Sequence, residues 1–164
     1  MGTLSVVIPA YNEAATLEVV VDAVLGAPPE GIGREVIIVD DGSTDDTAAV
    51  AEQLALQHSN VHLHRHKRNL GKGAALRTGF EACTGDWVIV QDADLEYDPA
   101  EYGRLLKPIL DDKADVVYGS RFVGGDAHRV LFFWHSVGNM LLTLLSNMFT
   151  DLNLTDMESG YKLM

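Results

Sequence analysis

Four acidic residues within seven positions follow an apolar run near the middle of the chain. Residues 87–91 have the pattern of a buried strand, and Asp92, Asp94, Glu96 and Asp98 come directly after it. Two residues that are two positions apart on a strand share one face but stand about 7 Å apart, so Asp92 and Asp94 can converge on one ion only if the strand ends there. Oxygen ligands at this density suit Mg²⁺ or Mn²⁺. We therefore predict a metal site at Asp92, Asp94 and Glu96, with a solvated acidic loop as the alternative.

The charge of the chain is unevenly distributed. Its formal net charge of −12 argues against a nucleic-acid binder. Residues 53–80, however, contain no Asp or Glu and hold five of the twelve Lys and Arg residues. These five are Arg65, Lys67, Arg68, Lys72 and Arg77. The basic segment could face an anionic ligand, or it could be the solvated face of a helix and a strand.

Size and composition are those of one globular domain. The chain has 164 residues, of which 47% are hydrophobic, enough to bury a core. The single cysteine, Cys83, can form no internal disulfide, and we expect it to be a packed apolar residue. No signal peptide is visible at the N-terminus, so a reducing cytoplasm is the expected location.

Apolar strands alternate with helical patterns along the first 120 residues. The patterns predict strands at 4–10, 35–39, 61–66, 86–90 and 115–119, and helices at 13–25, 47–57, 74–82 and 100–110. This α/β order favours a mostly parallel sheet with helices on both faces. Ligands of such sheets bind beyond the carboxyl ends of the strands. The polar clusters lie at those ends, which predicts a single site at one edge of the sheet.

The last part of the chain has a different pattern. Residues 130–150 carry no Asp, Glu, Lys or Arg over 21 positions, long enough for a membrane span. Polar residues nevertheless recur at helical spacing along one stripe, formed by His135, Ser136, Asn139, Thr143, Ser146, Asn147 and Thr150. This periodicity favours an amphipathic C-terminal helix and disfavours a membrane span. Such a helix would pack on the core or partly contact a membrane surface.

The acidic and basic residues suit a nucleotide-diphosphate sugar. Negative charge builds on the diphosphate as the glycosidic bond breaks, and a metal acting as a Lewis acid there stabilises it. Asp92 and Asp94 can hold that metal. Arg121, after the fifth predicted strand, can bind phosphate through two parallel hydrogen bonds, or it can be a surface arginine that pairs with a nearby acid.

The nucleoside needs directional hydrogen bonds. Asp40, at the end of the second predicted strand, can accept them from ribose hydroxyls or from a base N–H. Tyr11 can stack on the base and Glu13 can accept a hydrogen bond. Ordinary chemistry at the start of a helix is the alternative for both Tyr11 and Glu13.

The acceptor sets a further requirement. A sugar hydroxyl needs a general base, whereas a phosphate acceptor is already ionised near pH 7. No base stands out beyond Asp94 and its neighbouring acids. This favours a phosphate acceptor, which Arg129 and Lys162 could receive. His62, His64 and His66 alternate along a predicted strand, and a solvated strand face suits them better than a metal site because adjacent cations would repel the metal.

Five motifs, in their order and spacing, resemble family 2 glycosyltransferases of the GT-A fold. They are Pro-Ala-Tyr-Asn-Glu at 9–13, Val-Asp-Asp-Gly-Ser at 39–43, Asn-Leu-Gly-Lys-Gly at 69–73, Asp-Ala-Asp at 92–94 and Gly-Ser-Arg-Phe at 119–122. Together with Gln91 and the segments 128–130 and 155–162, they look most like the branch of polyprenyl-phosphate (dolichol-phosphate) mannosyl- and glucosyltransferases.

The resemblance implies an inverting, metal-dependent transfer of a hexose. The donor would be a GDP- or UDP-sugar, the acceptor a polyprenyl (dolichyl) phosphate, the cofactor Mg²⁺ or Mn²⁺, and the place the cytoplasmic face of a membrane. Residues implied at the nucleoside are Pro9, Tyr11, Glu13, Ile38 and Asp40. Residues implied at the metal and diphosphate are Asp92, Ala93, Asp94 and Glu96. Arg121, Arg129 and Lys162 would meet phosphates.

Residues 69–73 are predicted to form a glycine turn before a helix, and we add Lys72 of this turn to the residues expected to bind the nucleotide sugar. Asp92, Asp94 and Arg121 are expected to be catalytic. Some family members have Gln at the position of Glu96, a difference that bears on metal affinity. Residues 1–164 are predicted to form a single GT-A catalytic domain. Family members continue well past the Gly-Tyr-Lys motif at 160–162, so we expect this chain to be truncated at its C-terminus.

Two other functions stay open at this point. One is a family 2 glycosyltransferase with a soluble saccharide acceptor. The other is a fragment that binds nucleotide diphosphate without turnover. A Rossmann dinucleotide site is disfavoured because no Gly-x-Gly-x-x-Gly follows the first strand, where that fold needs it.

Overall fold

A computed structural model describes residues 2–119, 133–157 and 159–164 of the chain. In these residues six strands form one sheet: β1 (Thr3–Ala10), β2 (Gly33–Asp40), β3 (Val61–Arg65), β4 (Trp87–Val90), β5 (Val117–Tyr118) and β6 (Lys162–Leu163). The helices are α1 (Leu17–Leu25), α2 (Thr47–Gln57), α3 (Lys72–Ala82), α4 (Tyr102–Leu110) and α5 (Phe133–Thr150), and a 3₁₀ turn at Pro99–Glu101 leads into α4.

The sheet is mostly parallel, as predicted. Its strand order is β3-β2-β1-β4-β6-β5. Strands β1 to β4 pair in parallel, and β6 is antiparallel to both of its neighbours, β4 and β5. A right-handed crossover through a helix is the usual connection between parallel neighbours, and helices α1 to α3 stand between the first four strands in chain order.

Helices cover both faces of the sheet. One face of β1 and β2 packs into a large core with α1, α2 and α4, in which Ile8, Ile38 and Tyr102 are among the fully buried side chains. The opposite face contributes Ile37 and Val39 to a smaller cluster with α3. Burial on both faces explains why these strands are apolar at successive positions, the pattern that predicted them.

The carboxyl ends of β1, β2 and β4 meet at one edge of the sheet. Ala10 is paired with Asp40 at the ends of β1 and β2, and Val7 is paired with Val90 at the end of β4. The chain therefore leaves the sheet for its polar turns along one edge, as the sequence predicted.

Most predicted boundaries lie within two residues of the observed ones, and two elements differ more. Helix α1 begins at Leu17 and not at Glu13, because residues 14–16 form a turn in which the N–H groups of Thr16 and Leu17 both donate to the carbonyl of Glu13. Strand β6 was not predicted. It is only two residues long, too short for any periodicity, yet its Leu163 is fully buried between β4 and β5.

Helix α5 is amphipathic, as predicted, but its orientation was not foreseen. Asn139 and Thr143 of the polar stripe are buried, with exposed fractions of 4% and 6%. Asn139 donates a hydrogen bond to Asp156, and Asn147 exchanges two hydrogen bonds with the backbone of Leu154. The polar stripe thus faces the protein.

The apolar side of α5 is exposed. Its exposed side chains include Trp134, Met140, Leu141, Leu144, Met148 and Phe149. For the described side chains, the expectation that the apolar face packs on the core is therefore wrong, and the alternative, contact with a membrane surface, stays a prediction. Among the residues that the structure describes, no helix is long and apolar enough to cross a membrane.

We expect Gly79→Ala to lower the free energy of unfolding by about 1–3 kcal/mol, measured by urea denaturation. A Cβ at Gly79 in α3 would lie 2.3 Å from Cγ1 of the fully buried Val7 in β1, so the two elements would have to separate. Gly138→Ala is the matched control, since Gly138 also lies in a helix and a Cβ there meets no described atom within 4 Å. Equal effects of the two substitutions would contradict this close packing.

Candidate functional site

A cleft of about 290 Å³ opens at the edge of the sheet where β1, β2 and β4 end. Seven of the predicted site residues line it: Pro9, Tyr11, Glu13, Lys72, Asp92, Ala93 and Asp94. The remaining lining residues are Ala10, Asp41, Asn69, Gly71 and Ala75. Residues distant in sequence thus share one concave surface with acids on one side and a lysine on the other.

Gln91 holds in place the turn of residues 92–98, here called the acidic turn. The Gln91 side chain is fully buried, and its Oε1 accepts hydrogen bonds from the hydroxyls of Tyr102 (2.8 Å) and Tyr161 (3.0 Å). Its Nε2 donates to the backbone carbonyls of Asp92 and Tyr97, both at 3.1 Å. All four hydrogen-bonding positions of the amide are therefore occupied. Because the two carbonyls stand at either end of the turn, Gln91 fixes its shape.

Three tyrosines surround this amide. The rings of Tyr97 and Tyr161 have centroids 4.7 Å apart, and Tyr102 meets Tyr161 edge-on at 5.9 Å. Burial raises the pKa of both Tyr102 and Tyr161, so their hydroxyls stay protonated and donate to Gln91. The hydroxyl oxygen of Tyr97 accepts a hydrogen bond from the backbone N–H of Gly160. The segment around Gly160 thereby packs beneath the acidic turn.

Asp92 and Asp94 leave the turn on the side that faces the cleft. Ala93 between them is buried in the core, so the two acids point away from it. Oδ1 of Asp92 lies 2.5 Å from Nζ of Lys72, the first residue of α3. Oδ1 of Asp94 accepts a hydrogen bond from the backbone N–H of Glu96 at 3.0 Å. The turn therefore offers two carboxylates to the cleft, and one of them already holds a cationic partner.

These two carboxylates fit a divalent cation that is bound jointly with a diphosphate. Mg²⁺ in nucleotide sites is commonly held by one or two carboxylates together with substrate phosphates and water. Within the described residues, no three His, Cys, Asp or Glu side chains are grouped to hold a metal by themselves. Asp92 and Asp94 supply the oxygen ligands of such a shared site, and the ammonium of Lys72 marks a position where a cation is stable. Glu96 as a third ligand stays a prediction.

The two adjacent aspartates at the end of β2 have different surroundings. Asp40 is fully buried; it accepts a hydrogen bond from the N–H of Ser43, and its Oδ2 lies 3.1 Å from Nε of Arg65, without the alignment of a hydrogen bond. Ile38 is buried in the core beside it. Asp41, by contrast, lines the cleft. The predicted nucleoside contacts of Ile38 and Asp40 stay predictions.

The carboxylate of Asp41 organises the glycine turn before α3. It accepts hydrogen bonds from the backbone N–H groups of Leu70 (3.0 Å) and Gly71 (2.8 Å) and lies 2.6 Å from Nδ1 of His66. Nε2 of the same imidazole is 2.9 Å from the hydroxyl of Thr78 in α3. Burial alone would raise the pKa of Asp41, but these hydrogen bonds outweigh it and hold the pKa below its usual value. Asp41 is therefore an anion at neutral pH.

Neither Asp41 nor His66 was predicted to belong to the site. The signal for Asp41 was the alternation of side chains: it follows Ile37 and Val39 on the face of β2 that α3 covers, whereas Asp40 lies on the opposite face. His66 was expected on a solvated strand face, which is wrong. Strand β3 ends at Arg65, and His66 turns inward to Asp41.

Other predicted site residues have simpler surroundings. Tyr11 is 44% exposed at the cleft, where its ring is available for stacking. The carboxylate of Glu13 accepts a hydrogen bond from the hydroxyl of Thr16 at 2.9 Å, so part of its role is in the turn before α1. Nζ of Lys162 lies 5.6 Å from the ring centroid of Tyr118 on the neighbouring strand. The predictions for Arg121 and Arg129 lie outside the described residues.

The order of the motifs, the sheet and the cleft agree with the comparison to known families. Residues 5–164 match the family described as glycosyl transferase family 2. The chain belongs to this family.

Three longer proteins illustrate the similarity. The chain is 35% identical over 161 residues to the polyprenol monophosphomannose synthase of Mycolicibacterium smegmatis, covering 96% of the chain and 59% of the synthase. Glucosyl-3-phosphoglycerate synthase of Mycobacterium tuberculosis, solved with Mn²⁺, UDP-glucose and phosphoglyceric acid, superposes with a TM-score of 0.71 and 27% identity over 99% of this chain and 56% of that one. A mannosyltransferase of Pyrobaculum calidifontis, solved with GDP-Man and Mn²⁺, superposes with a TM-score of 0.61 and 27% identity. The superposition covers 73% of this chain and 36% of the mannosyltransferase.

These similarities confirm the predicted GT-A fold and family. The chain spans between 36% and 59% of the length of the three proteins.

We expect Gln91→Leu to lower the free energy of unfolding by about 3 kcal/mol, because it leaves two buried tyrosine hydroxyls and two partly buried carbonyls without their partner. Urea denaturation measures the loss. Gln53→Leu on the exposed side of α2 is the matched control and should change stability by no more than about 0.5 kcal/mol. A loss below about 1 kcal/mol for Gln91→Leu would mean that the amide does not hold the turn.

Proposed function

We propose that this chain is the donor-binding and catalytic part of an inverting transferase that moves a hexose from a GDP- or UDP-sugar to a polyprenyl phosphate. The observation that carries the proposal is the cleft in which Asp92 and Asp94 face Lys72 at the carboxyl edge of the sheet. A mannosyltransferase with GDP-Man and Mn²⁺ and a synthase with UDP-glucose and Mn²⁺ share this fold, which supports a nucleotide-sugar donor.

In this proposal the diphosphate lies between the acidic turn and the start of α3. Asp92 and Asp94 would hold Mg²⁺ or Mn²⁺, which stabilises the negative charge of the departing diphosphate. Lys72 would contact the diphosphate directly, and Arg121 would bind it from the segment after β5. Glu96 remains a proposed further metal ligand.

The nucleoside is proposed to occupy the other half of the cleft. Tyr11 would stack on the base, and Pro9 and Glu13 line the same surface. We add Asp41 to the proposed nucleoside contacts because it is anionic and lines this surface. Asp40 remains a proposed nucleoside contact, although it is buried behind the surface. Backbone and side-chain acceptors of this kind discriminate bases through their N–H donors.

The proposed acceptor is a phosphate. One of its oxygens forms the new bond to the anomeric carbon as the bond from that carbon to the donor diphosphate breaks, and the nucleoside diphosphate leaves. A phosphate is already ionised near pH 7, so no general base is required. Arg129 and Lys162 are the proposed contacts of this phosphate. The polyprenol monophosphomannose synthase similar to this chain supports a lipid carrier.

A lipid acceptor gives the exposed side of α5 a role. We propose that the apolar face of α5, defined by Met140, Leu141, Leu144, Leu145 and Met148, contacts the surface of the membrane in which a polyprenyl phosphate resides. The polar stripe of the same helix is already bonded to the protein, which leaves the apolar face outward. An amphipathic helix lying in the interface buries such a face in the lipid boundary.

Transfer of radiolabelled sugar into an organic-extractable lipid tests the proposal, using the full-length gene product, polyprenyl phosphate and each common GDP- or UDP-sugar with Mn²⁺. We expect transfer with one donor, and a loss of at least about 100-fold with Asp94→Ala because one carboxylate ligand of the metal is removed. Asp115→Ala, an exposed acid before β5, is the control and should transfer normally.

The products separate the alternatives. Label that stays in the aqueous phase as a saccharide would replace the lipid acceptor by a soluble one. Binding of Mn²⁺ and nucleotide without transfer or donor hydrolysis would leave a nucleotide-binding piece. Absence of both binding and transfer with all donors would overturn the proposal.

Membrane contact is tested by co-sedimentation with phosphatidylcholine vesicles. We expect the double variant Leu144→Glu/Met148→Glu to bind at least about tenfold more weakly, because two side chains that are 56% and 70% exposed lose their burial in lipid. The control is Leu56→Glu, which places the same charge on α2 at a side chain that is 89% exposed. Equal binding by the double variant and the unchanged protein would exclude this face as the contact.

A further inference from the structure

The ion pair between Lys72 and Asp92 joins a side chain that is held in place to one that is able to move. The side chain of Asp92 is 17% exposed, and its backbone carbonyl is bonded to the buried amide of Gln91. Gly160 packs so closely beneath it that an added Cβ would lie 3.2 Å from Oδ2 of Asp92. The side chain of Lys72 is 57% exposed, and its ammonium reaches Asp92 across the cleft.

The backbone that carries Lys72 is itself anchored. The N–H groups of Leu70 and Gly71, immediately before it, donate to the buried carboxylate of Asp41. Gly71 has a left-handed backbone conformation (φ 91°), which glycine adopts without strain. A change of partner at Lys72 therefore needs only rotation of its flexible side chain, with the turn and α3 unmoved.

The ammonium and a divalent cation would compete for the same oxygen. Both are stabilised by the carboxylate of Asp92, and they repel each other at the distances that a shared carboxylate imposes. Lys72 therefore weakens the affinity of the empty cleft for a metal ion. A diphosphate changes this balance, because it offers the ammonium a second anionic partner at the start of α3, where no acidic side chain stands in the first turn.

We propose that the ammonium of Lys72 occupies the cation position at Asp92 until a nucleotide diphosphate arrives, so that the metal ion and the diphosphate enter the cleft together. This inference rests on the proposed function, since it assumes the same donor site. Lys72 leaves Asp92 for the diphosphate, and Asp92 becomes available to the cation. The free protein would then keep the carboxylate of Asp92 neutralised without storing a metal ion.

The proposal is tested by Mn²⁺ binding without any sugar, followed by electron paramagnetic resonance of the free ion and by calorimetry, with and without GDP or UDP. We expect Lys72→Met to bind Mn²⁺ alone about tenfold more tightly than the unchanged protein, because the competing charge is gone. The same variant should bind the nucleotide diphosphate with Mn²⁺ about tenfold more weakly, because the ammonium no longer contacts it. The factor by which nucleotide tightens Mn²⁺ binding should fall accordingly.

Two further variants separate this role from a general effect of charge. Lys72→Arg keeps a cation at this position and should keep the weak affinity for Mn²⁺ alone. Lys113→Met removes one positive charge elsewhere, at an exposed lysine whose Nζ lies 2.9 Å from Asp111, and should leave Mn²⁺ binding unchanged. Lys72→Gln serves as a second neutral variant if Lys72→Met is poorly folded.

The outcomes distinguish this inference from the proposed function. Mn²⁺ that binds to Lys72→Met and Lys72→Gln no more tightly than to the unchanged protein would overturn the competition, even if Mn²⁺ and nucleotide bind together normally. Absence of joint binding by the unchanged protein would overturn the proposed donor site and the inference with it. An equal gain of affinity in Lys113→Met would assign the effect to net charge and also overturn the inference.

Discussion

The buried amide of Gln91 is the constraint on which the site depends. β4 ends just before it, and the chain must then reverse to bring two carboxylates to the edge of the sheet. A turn of this kind exposes carbonyls to the core, where an unpaired polar group is costly. Gln91 binds two of those carbonyls with one end of its side chain and two tyrosine hydroxyls with the other. The position of the acids is thus set by hydrogen bonds made beneath them.

The opposite wall of the cleft is also held by hydrogen bonds to one buried side chain, which here is a carboxylate and not an amide. The carboxylate of Asp41 accepts hydrogen bonds from two backbone N–H groups and contacts the imidazole of His66. These contacts fix the glycine turn that leads into α3. Each wall is therefore supported from within by its own polar group. Lys72 and Asp92 face each other across the gap, so the cleft can change its internal ion pairs while both walls stay in place.

Much of the fold and of the cleft could be predicted because long apolar strands and their polar ends leave clear patterns. The ends of β1, β2 and β4 were placed at one edge from the sequence, and seven predicted residues line the cleft there. Which of Asp40 and Asp41 lines the cleft could not be predicted, because it depends on which face of β2 is covered by α3. Periodicity gave the polar stripe of α5 but not its direction, since a stripe fits equally against a polar loop or against water. The two residues of β6 carry no period, and only pairing with β4 and β5 defines them.

Attachment of α5 through its polar stripe bears on how the protein tolerates its surroundings. Most surface helices are held by apolar packing, a force that vanishes when the solvent is hydrocarbon or detergent. The described contacts of α5 instead include amide hydrogen bonds of Asn139 and Asn147, which a less polar medium strengthens. Detergent, which loosens apolar docking, should therefore leave the hydrogen bonds that hold this helix in place.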